Sequence, residues 1–376
     1  MSVFRSRPTL RWLVPSAAAV VIIGGGAAAG TIVASADPSL PDRSAAQLLV
    51  DVQNAKVDGF SGTVVETADL GLPAIVGALG SQAQSGNLTR LVAGSNTARV
   101  WYAGADKTRL ALVGTDGETD VIHNGTDVWV WQSAGNTATH VKLPAGEKTT
   151  PVPSGIPATP QEAADQALAA ISPTTKVSTT GAAKVAGRDA YELVLSPKDT
   201  ASLVGQVRLA IDAKTHIPLR VDVYAKNATN PAIRVAFQQI SFTTPDAQQF
   251  KFNPPPNAKV NEATKQQLAQ QEQKATEAQK KAAEAQKSKL ATEPTVIGKG
   301  WTSIVELKLP AAKNSTDNKS DAAQLQAGLN MLPKVSGAWG SGHLLSGSLF
   351  SALITDNGRV FIGAVTPAAL EQAAAK

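Results

Sequence analysis

The chain has no cysteine. That absence excludes disulfides, thiolate zinc sites, iron–sulfur clusters, a cysteine nucleophile and a lipid anchor on an N-terminal Cys. Aromatic residues are scarce, at 5%, and charged residues make up only 17% of the 376 positions. An excess of one charge is also missing. The formal +5 includes Arg5, Arg7 and Arg11, and residues 1–36 hold no acid; without them 32 basic residues face 30 acidic ones, a balance of +2. No surplus remains to hold a nucleic acid, so none is expected as a partner. The sequence is not poor in apolar residues. They amount to 43%, and runs such as Val128–Trp131 and Tyr191–Leu195 can build a core, which rules out whole-chain disorder.

The first 36 residues follow an export pattern. A basic region precedes an apolar stretch from Trp12 to Val33, and Ala34-Ser35-Ala36 offers small residues where a signal peptidase needs them. The stretch is also just long enough to span a bilayer, so cleavage after Ala36 and retention as an N-terminal anchor both stay open. In either case the basic end remains in the cytoplasm and residues 37–376 lie outside the membrane.

Beyond the leader, Ser44-Ala45-Ala46-Gln47 reads as a capping box opening a short helix that ends near Asn54. The rhythm then becomes that of hairpins. Phe60–Glu66, Thr97–Tyr102, Thr108–Gly114, Thr119–His123, Asp127–Gln132 and Thr139–Leu143 are short and β-rich, with turn residues such as Asn124-Gly125 between them. Between the first two strands, Leu70–Leu79 is an apolar, glycine-containing excursion, either a buried loop or a lid over an apolar mouth; Leu72, Ile75 and Leu79 are the gate candidates. Residues 144–160 are proline-rich loop, and Thr159-Pro160-Gln161-Glu162 starts a helix over 162–171. Strands resume at Lys176–Thr180, Asp189–Ser196, Leu203–Asp212, Leu219–Lys226 and Ile233–Thr243, and Pro254-Pro255-Pro256 stops this second meander.

Residues 261–291 are almost wholly Lys, Glu, Gln and Ala. Their propensity is helical, but no apolar stripe exists to bury, so the expected element is a solvated spacer of roughly 45 Å at about 1.5 Å per residue, or a partner-binding coiled coil. Strands at Trp301–Leu307, Leu349–Thr355 and Arg359–Val365 follow, with a helix at Asp321–Leu332 and a hairpin turn at Asp356-Asn357-Gly358. The organisation expected is a leader or anchor (1–36), a main body (37–256), a helical insertion (257–293) and a C-terminal part (294–376) whose strands pair back onto the first sheet to complete the same domain.

The sequence offers no catalytic constellation, no metal site and no cofactor fingerprint. The four histidines are scattered, no nucleophile elbow or Walker loop occurs, and Gly340-Ser341-Gly342 lacks both a third glycine and a βαβ context. Aromatic placement stands out instead. Trp129 and Trp131 share one face of a strand with Val128 and Val130 on the other, and Trp101 and Tyr102 repeat this, so both faces of the sheet need cover. Trp129 and Trp131 are then either core under the 162–171 helix or a wall of an apolar cavity.

The order of elements resembles the LolA/LppX/RseB group of envelope proteins, closest to actinobacterial members. The match is carried by Ala45–Leu49 with Phe60–Val65, Arg99–Tyr102, Val121–Trp131, Tyr191–Leu195 and Val207–Asp212 with Thr215–Tyr224, together spanning about 44–256. The resemblance implies an α+β fold: an open, curved antiparallel half-barrel enclosing helices and an apolar cavity. It implies a non-catalytic protein that takes lipid or acylated lipoprotein as cargo, or, like the RseB-like members, senses envelope state through a membrane protein partner. On that reading Trp101, Trp129, Trp131, Leu193 and Leu195 are the expected cavity residues.

Overall fold

The computed structural model describes residues 40–72, 93–114, 117–143, 168–169, 171–264, 294–308 and 329–376. The leader, Ile75, Leu79, the proline-rich loop and most of the helices expected at 162–171, 261–291 and 321–332 lie outside the described residues. Among the described residues, no helix is long and apolar enough to cross a membrane.

The capping box forms as expected. The Gln47 amide donates to Ser44 Oγ, and the Ser44 amide donates to Gln47 Oε1 at 2.9 Å, opening helix α1 (Ala45–Asn54). The helix buries Leu48 completely against Tyr191 and Ile211. Twelve strands then build one sheet: β1 (Phe60–Asp69), β2 (Ala93–Tyr102), β3 (Lys107–Gly114), β4 (Gly117–Asn124), β5 (Asp127–Gln132), β6 (Thr137–Lys142), β7 (Thr175–Val185), β8 (Arg188–Pro197), β9 (Val204–Asp212), β10 (Pro218–Ala225), β11 (Pro231–Ser241) and β12 (Lys259–Thr264). Their spatial order is β12-β6-β5-β4-β3-β2-β1-β11-β10-β9-β8-β7. Two hairpin meanders, β1–β6 and β7–β11, are therefore joined side by side through the antiparallel β1–β11 pair. The sheet is open, and the described residues are mostly β with few helices.

The last strand departs from the expected pattern. The sequence predicts helix from residue 261, yet Asn261–Thr264 continue β12, which pairs parallel with β6 from Lys259↔Thr137 to Thr264↔Lys142. Two tertiary bonds override helical propensity here: the Lys259 amide donates to Asn136 O at 2.8 Å, and Glu262 reaches His140 at 2.8 Å.

The C-terminal strands correct a second expectation. They do not pair back onto the first sheet but make a six-stranded sheet of their own, ordered β13-β14-β18-β17-β16-β15. Its strands are β13 (Thr295–Ile297), β14 (Ile304–Lys308), β15 (Lys334–Gly337), β16 (Gly340–Ser346), β17 (Ser351–Thr355) and β18 (Arg359–Gly363). Helix α2 (Pro367–Ala374) seals a small core of Ile304, Leu353, Phe361, Val365 and Leu370. Gly340-Ser341-Gly342 is simply the start of β16. The strand expected from Trp301 begins at Ile304, because Gly300, at φ 62°, opens a single 3-10 turn first. The two sheets meet in an apolar junction where Leu70, Val204, Ala232 and Leu349 are buried and Leu72 and Phe350 pack around them. Backbone bonds Leu203 N to Ala364 O (2.9 Å) and Ser348 N to Leu70 O (2.7 Å) cross the junction.

Candidate functional site

Directly paired residues on neighbouring strands share a face, and residues alternate along a strand. From β5 to β1 the registers run without interruption, so the two faces can be read off. One face carries Val128 and Val130, then Val121, Leu110, Leu112 and Val100, ending in the buried Ala98 and Val64. The other carries Trp129, Trp131, Ile122, Arg109, Trp101 and Arg99. Val65, on the tryptophan side, pairs with Ala236, which leads through Arg220 and Ala210 to Glu192. Leu193 and Leu195, adjacent to Glu192 in alternation, therefore lie on the valine–leucine side.

The five residues expected to line one cavity are thus not brought together. Trp101, Trp129 and Trp131 belong to one face, Leu193 and Leu195 to the other. Of the gate candidates, Leu72 packs into the junction between the sheets.

The valine–leucine face is mostly apolar, with His123, Thr119 and Thr139 in register among its valines and leucines. Val64 and Ala98 are buried, while Val100, Leu110, Leu112, Val235 and Phe237 are half-buried around them. Val121 is 36% exposed. One acid interrupts it. Glu66 is 4% exposed and accepts from Asn96 Nδ2 at 2.7 Å. Burial raises its carboxyl above the ordinary range, and the Asn96 bond offsets this only partly. At its β8–β9 end the same face is covered by α1.

The opposite face is an ion-pair lattice. Asp222 is fully buried between Arg234 (2.6 Å) and Arg220 (3.0 Å), Arg220 also pairs with Glu192, and Arg109 pairs with the buried Asp120. Asp212, 1% exposed, is gripped by Arg188 Nε at 2.5 Å and capped by the Thr215 amide at 2.7 Å. Burial alone would raise its carboxyl, but the Arg188 and Thr215 bonds hold it below the ordinary value.

Trp129 and Trp131 sit at the end of this polar face beneath Phe252, with ring centroids 5.2 and 6.4 Å from it. Among the described residues their cover is thus the 247–252 segment. Trp129 also stacks on His140 at 4.2 Å. The two His140 nitrogens each lie 2.8 Å from a carboxylate, Asp127 on one side and Glu262 of β12 on the other. The His140 bond holds the Asp127 carboxyl below its usual range. This trio fastens β12 to the sheet. Among the described residues no cluster of three or more His, Asp or Glu could hold a metal ion.

The residues that make the apolar face were available to sequence reasoning. Arg99 alternates with Trp101 on the same side, and Arg109 pairs across from Trp101, so the charges mark the tryptophan side as polar. Leu110, Leu112 and Val100 then fall on the other side.

Residues 92–272 match the family model of the MucB/RseB N-terminal domain. The MucA/MucB complex of Pseudomonas aeruginosa is similar at 14% identity, over 88% of this chain and 96% of that one, with a TM-score of 0.38. A conserved protein from Thermus thermophilus is similar at 14% identity, over 59% and 100%, with a TM-score of 0.32. A LolA superfamily protein from Nitrosomonas europaea is similar at 11% identity, over 56% and 99%, with a TM-score of 0.22. No curated protein matches this chain. The matched stretch takes in Arg99–Tyr102, Val121–Trp131, Tyr191–Leu195 and Val207–Tyr224, which carry most of the sequence resemblance, so over residues 92–272 this chain is similar to the LolA/RseB group.

Proposed function

We propose that this is a non-catalytic, extracytoplasmic envelope protein that shelters the acyl chains of a lipid or acylated lipoprotein against the apolar face of its twelve-stranded sheet. The observation that carries the reading is the continuous band of half-buried Val and Leu side chains, including Val100, Leu110, Leu112, Val128 and Val130, on one face of an open sheet. A C16 chain has roughly 15 methylene-sized groups, and at about 0.8 kcal/mol each its burial is worth about 12 kcal/mol before ordering costs. Such a surface binds acyl chains without a charged recognition motif. Leu195 is half-buried on the same side, Leu193 is buried toward the α1-covered end, and the tryptophans brace the sheet from behind. The leader exports the protein or anchors it, and the second sheet, joined through the Leu70–Leu349 junction, works as one unit with the first.

The family match favours a second reading, a sensor that contacts a membrane protein, since the matching family is the MucB/RseB N-terminal domain and a MucB has been solved bound to MucA. Residues 261–291 would then project toward the partner. The test is organic extraction and mass spectrometry of the full chain purified in contact with envelope lipids. A stoichiometric acyl lipid supports the carrier reading. A protein that stays empty even after incubation with liposomes removes it and leaves the sensor.

A further inference from the structure

The polar face carries a concavity that neither reading uses. Three adjacent strands place two rows of side chains on it: Ser241–Ser61–Trp101 and Gln239–Thr63–Arg99, each row set by direct register pairs across β11, β1 and β2. The middle and β11 positions carry short hydroxyl side chains or an amide, whereas the β2 positions carry an indole and a guanidinium. A row of small residues beside two large ones leaves a hollow, and these six line one of about 250 Å³. That is room for one ring-sized ligand.

The chemistry of the hollow is specific. Arg99 is exposed, and among the described residues no carboxylate lies within salt-bridge distance of it. This sets it apart from Arg109, Arg220 and Arg234, each of which is held by a buried acid. Glu118 feels its charge only from a distance. Ser61, Thr63 and Ser241 each both donate and accept, and the Gln239 amide does the same through two atoms, with its Nε2 3.4 Å from Thr63 Oγ1. Trp101 is braced as a wall by Arg109, whose guanidinium sits 5.1 Å from the ring centroid while its other side is fixed by Asp120. One free positive charge calls for one negative charge. A guanidinium fork suits a planar carboxylate, neutral two-way groups suit ligand hydroxyls, and an indole suits the C–H face of a ring.

We propose that this hollow is a binding site for a polyhydroxylated carboxylate, of the class of a uronic acid. The carboxylate pairs with Arg99, the ring lies against Trp101, and ring hydroxyls exchange hydrogen bonds with Ser61, Thr63, Ser241 and Gln239. Because the site is on the face opposite the apolar band, it does not depend on acyl binding.

The test titrates the full chain with sodium glucuronate, glucose and inorganic phosphate separately, followed by calorimetry and by tryptophan fluorescence. Saturable glucuronate binding is expected, at least tenfold tighter than glucose and than phosphate. Arg99→Gln, at an exposed position, is expected to weaken it at least tenfold with an unchanged melting temperature. Thr63→Val is expected to weaken it severalfold. No glucuronate binding, equal binding of glucose, equal binding of phosphate, or binding indifferent to Arg99→Gln would each overturn the proposal.

Discussion

The two faces of the long sheet differ in how they obtain stability and in what they can offer a ligand. On the tryptophan side nearly every charged group already has its partner: Asp222 sits between two guanidiniums, Asp120 holds Arg109, and Asp212 holds Arg188. Such a face is specified by geometry and is intolerant of losing one member. Among the described residues the valine–leucine side has no such pairings and one buried acid, Glu66. Its contacts are non-directional, so a covering loop or an acyl chain can displace water from it with a similar gain per area. A sheet that is rigid behind and unspecific in front suits a protein that must hold its shape while accepting chains of variable length.

The comparison breaks most severely at Asp222. Asp222→Ala leaves Arg220 and Arg234 facing each other on the sheet without the acid between them, and a loss of about 3–5 kcal/mol is expected from chemical denaturation. On the apolar face, Leu110→Asp or Val130→Asp is expected to cost less stability, because these positions are only half-buried, but to lower co-purified acyl lipid at least tenfold. Trp129→Ala should do the reverse, reducing stability by about 2–3 kcal/mol through lost packing on His140 and Phe252 while leaving lipid loading near normal.

The faces also carry opposite pH dependence. Asp212 titrates lower in the folded chain than in the unfolded one, so its contribution is present above the ordinary carboxylate range and is lost as pH falls through its folded value. Glu66 titrates higher in the folded chain, so its contribution is present below that range and is lost as pH rises through its folded value. Asp212→Asn should therefore flatten the acid limb of a stability–pH curve. Glu66→Gln should raise stability at neutral pH relative to the unaltered protein, a difference that vanishes in acid. The smallest effect belongs to the Arg43–Asp51 pair, half open to solvent at 38% on the arginine side, where Asp51→Asn should change stability by less than about 1 kcal/mol.

Local signals in the sequence were read well where they are strong. The Ser44–Gln47 capping box, the Asn124-Gly125 and Asn357-Gly358 turns and the eleven-strand pair of meanders all correspond to short-range chemistry that the structure keeps. What was not legible depends on distant partners. β12 forms from a Lys/Glu/Gln-rich stretch because His140 and Asn136 capture its start. The C-terminal strands have enough apolar residues to pair anywhere, and they share a core of their own with Val365 and with Leu370 of α2. The site was half legible. Alternation identifies both faces of the 128–131 strand, but telling the polar face from the apolar one needs the arginine positions on the neighbouring strands.

The most direct test compares acyl lipid bound to the unaltered full chain, to Leu110→Asp and to Trp129→Ala, each extracted and quantified by mass spectrometry after a melting curve has confirmed folding. The account predicts about one lipid per chain in the unaltered protein and in Trp129→Ala, and at least tenfold less in Leu110→Asp. Loading that survives Leu110→Asp but disappears in Trp129→Ala would contradict it and return the ligand to the tryptophan face.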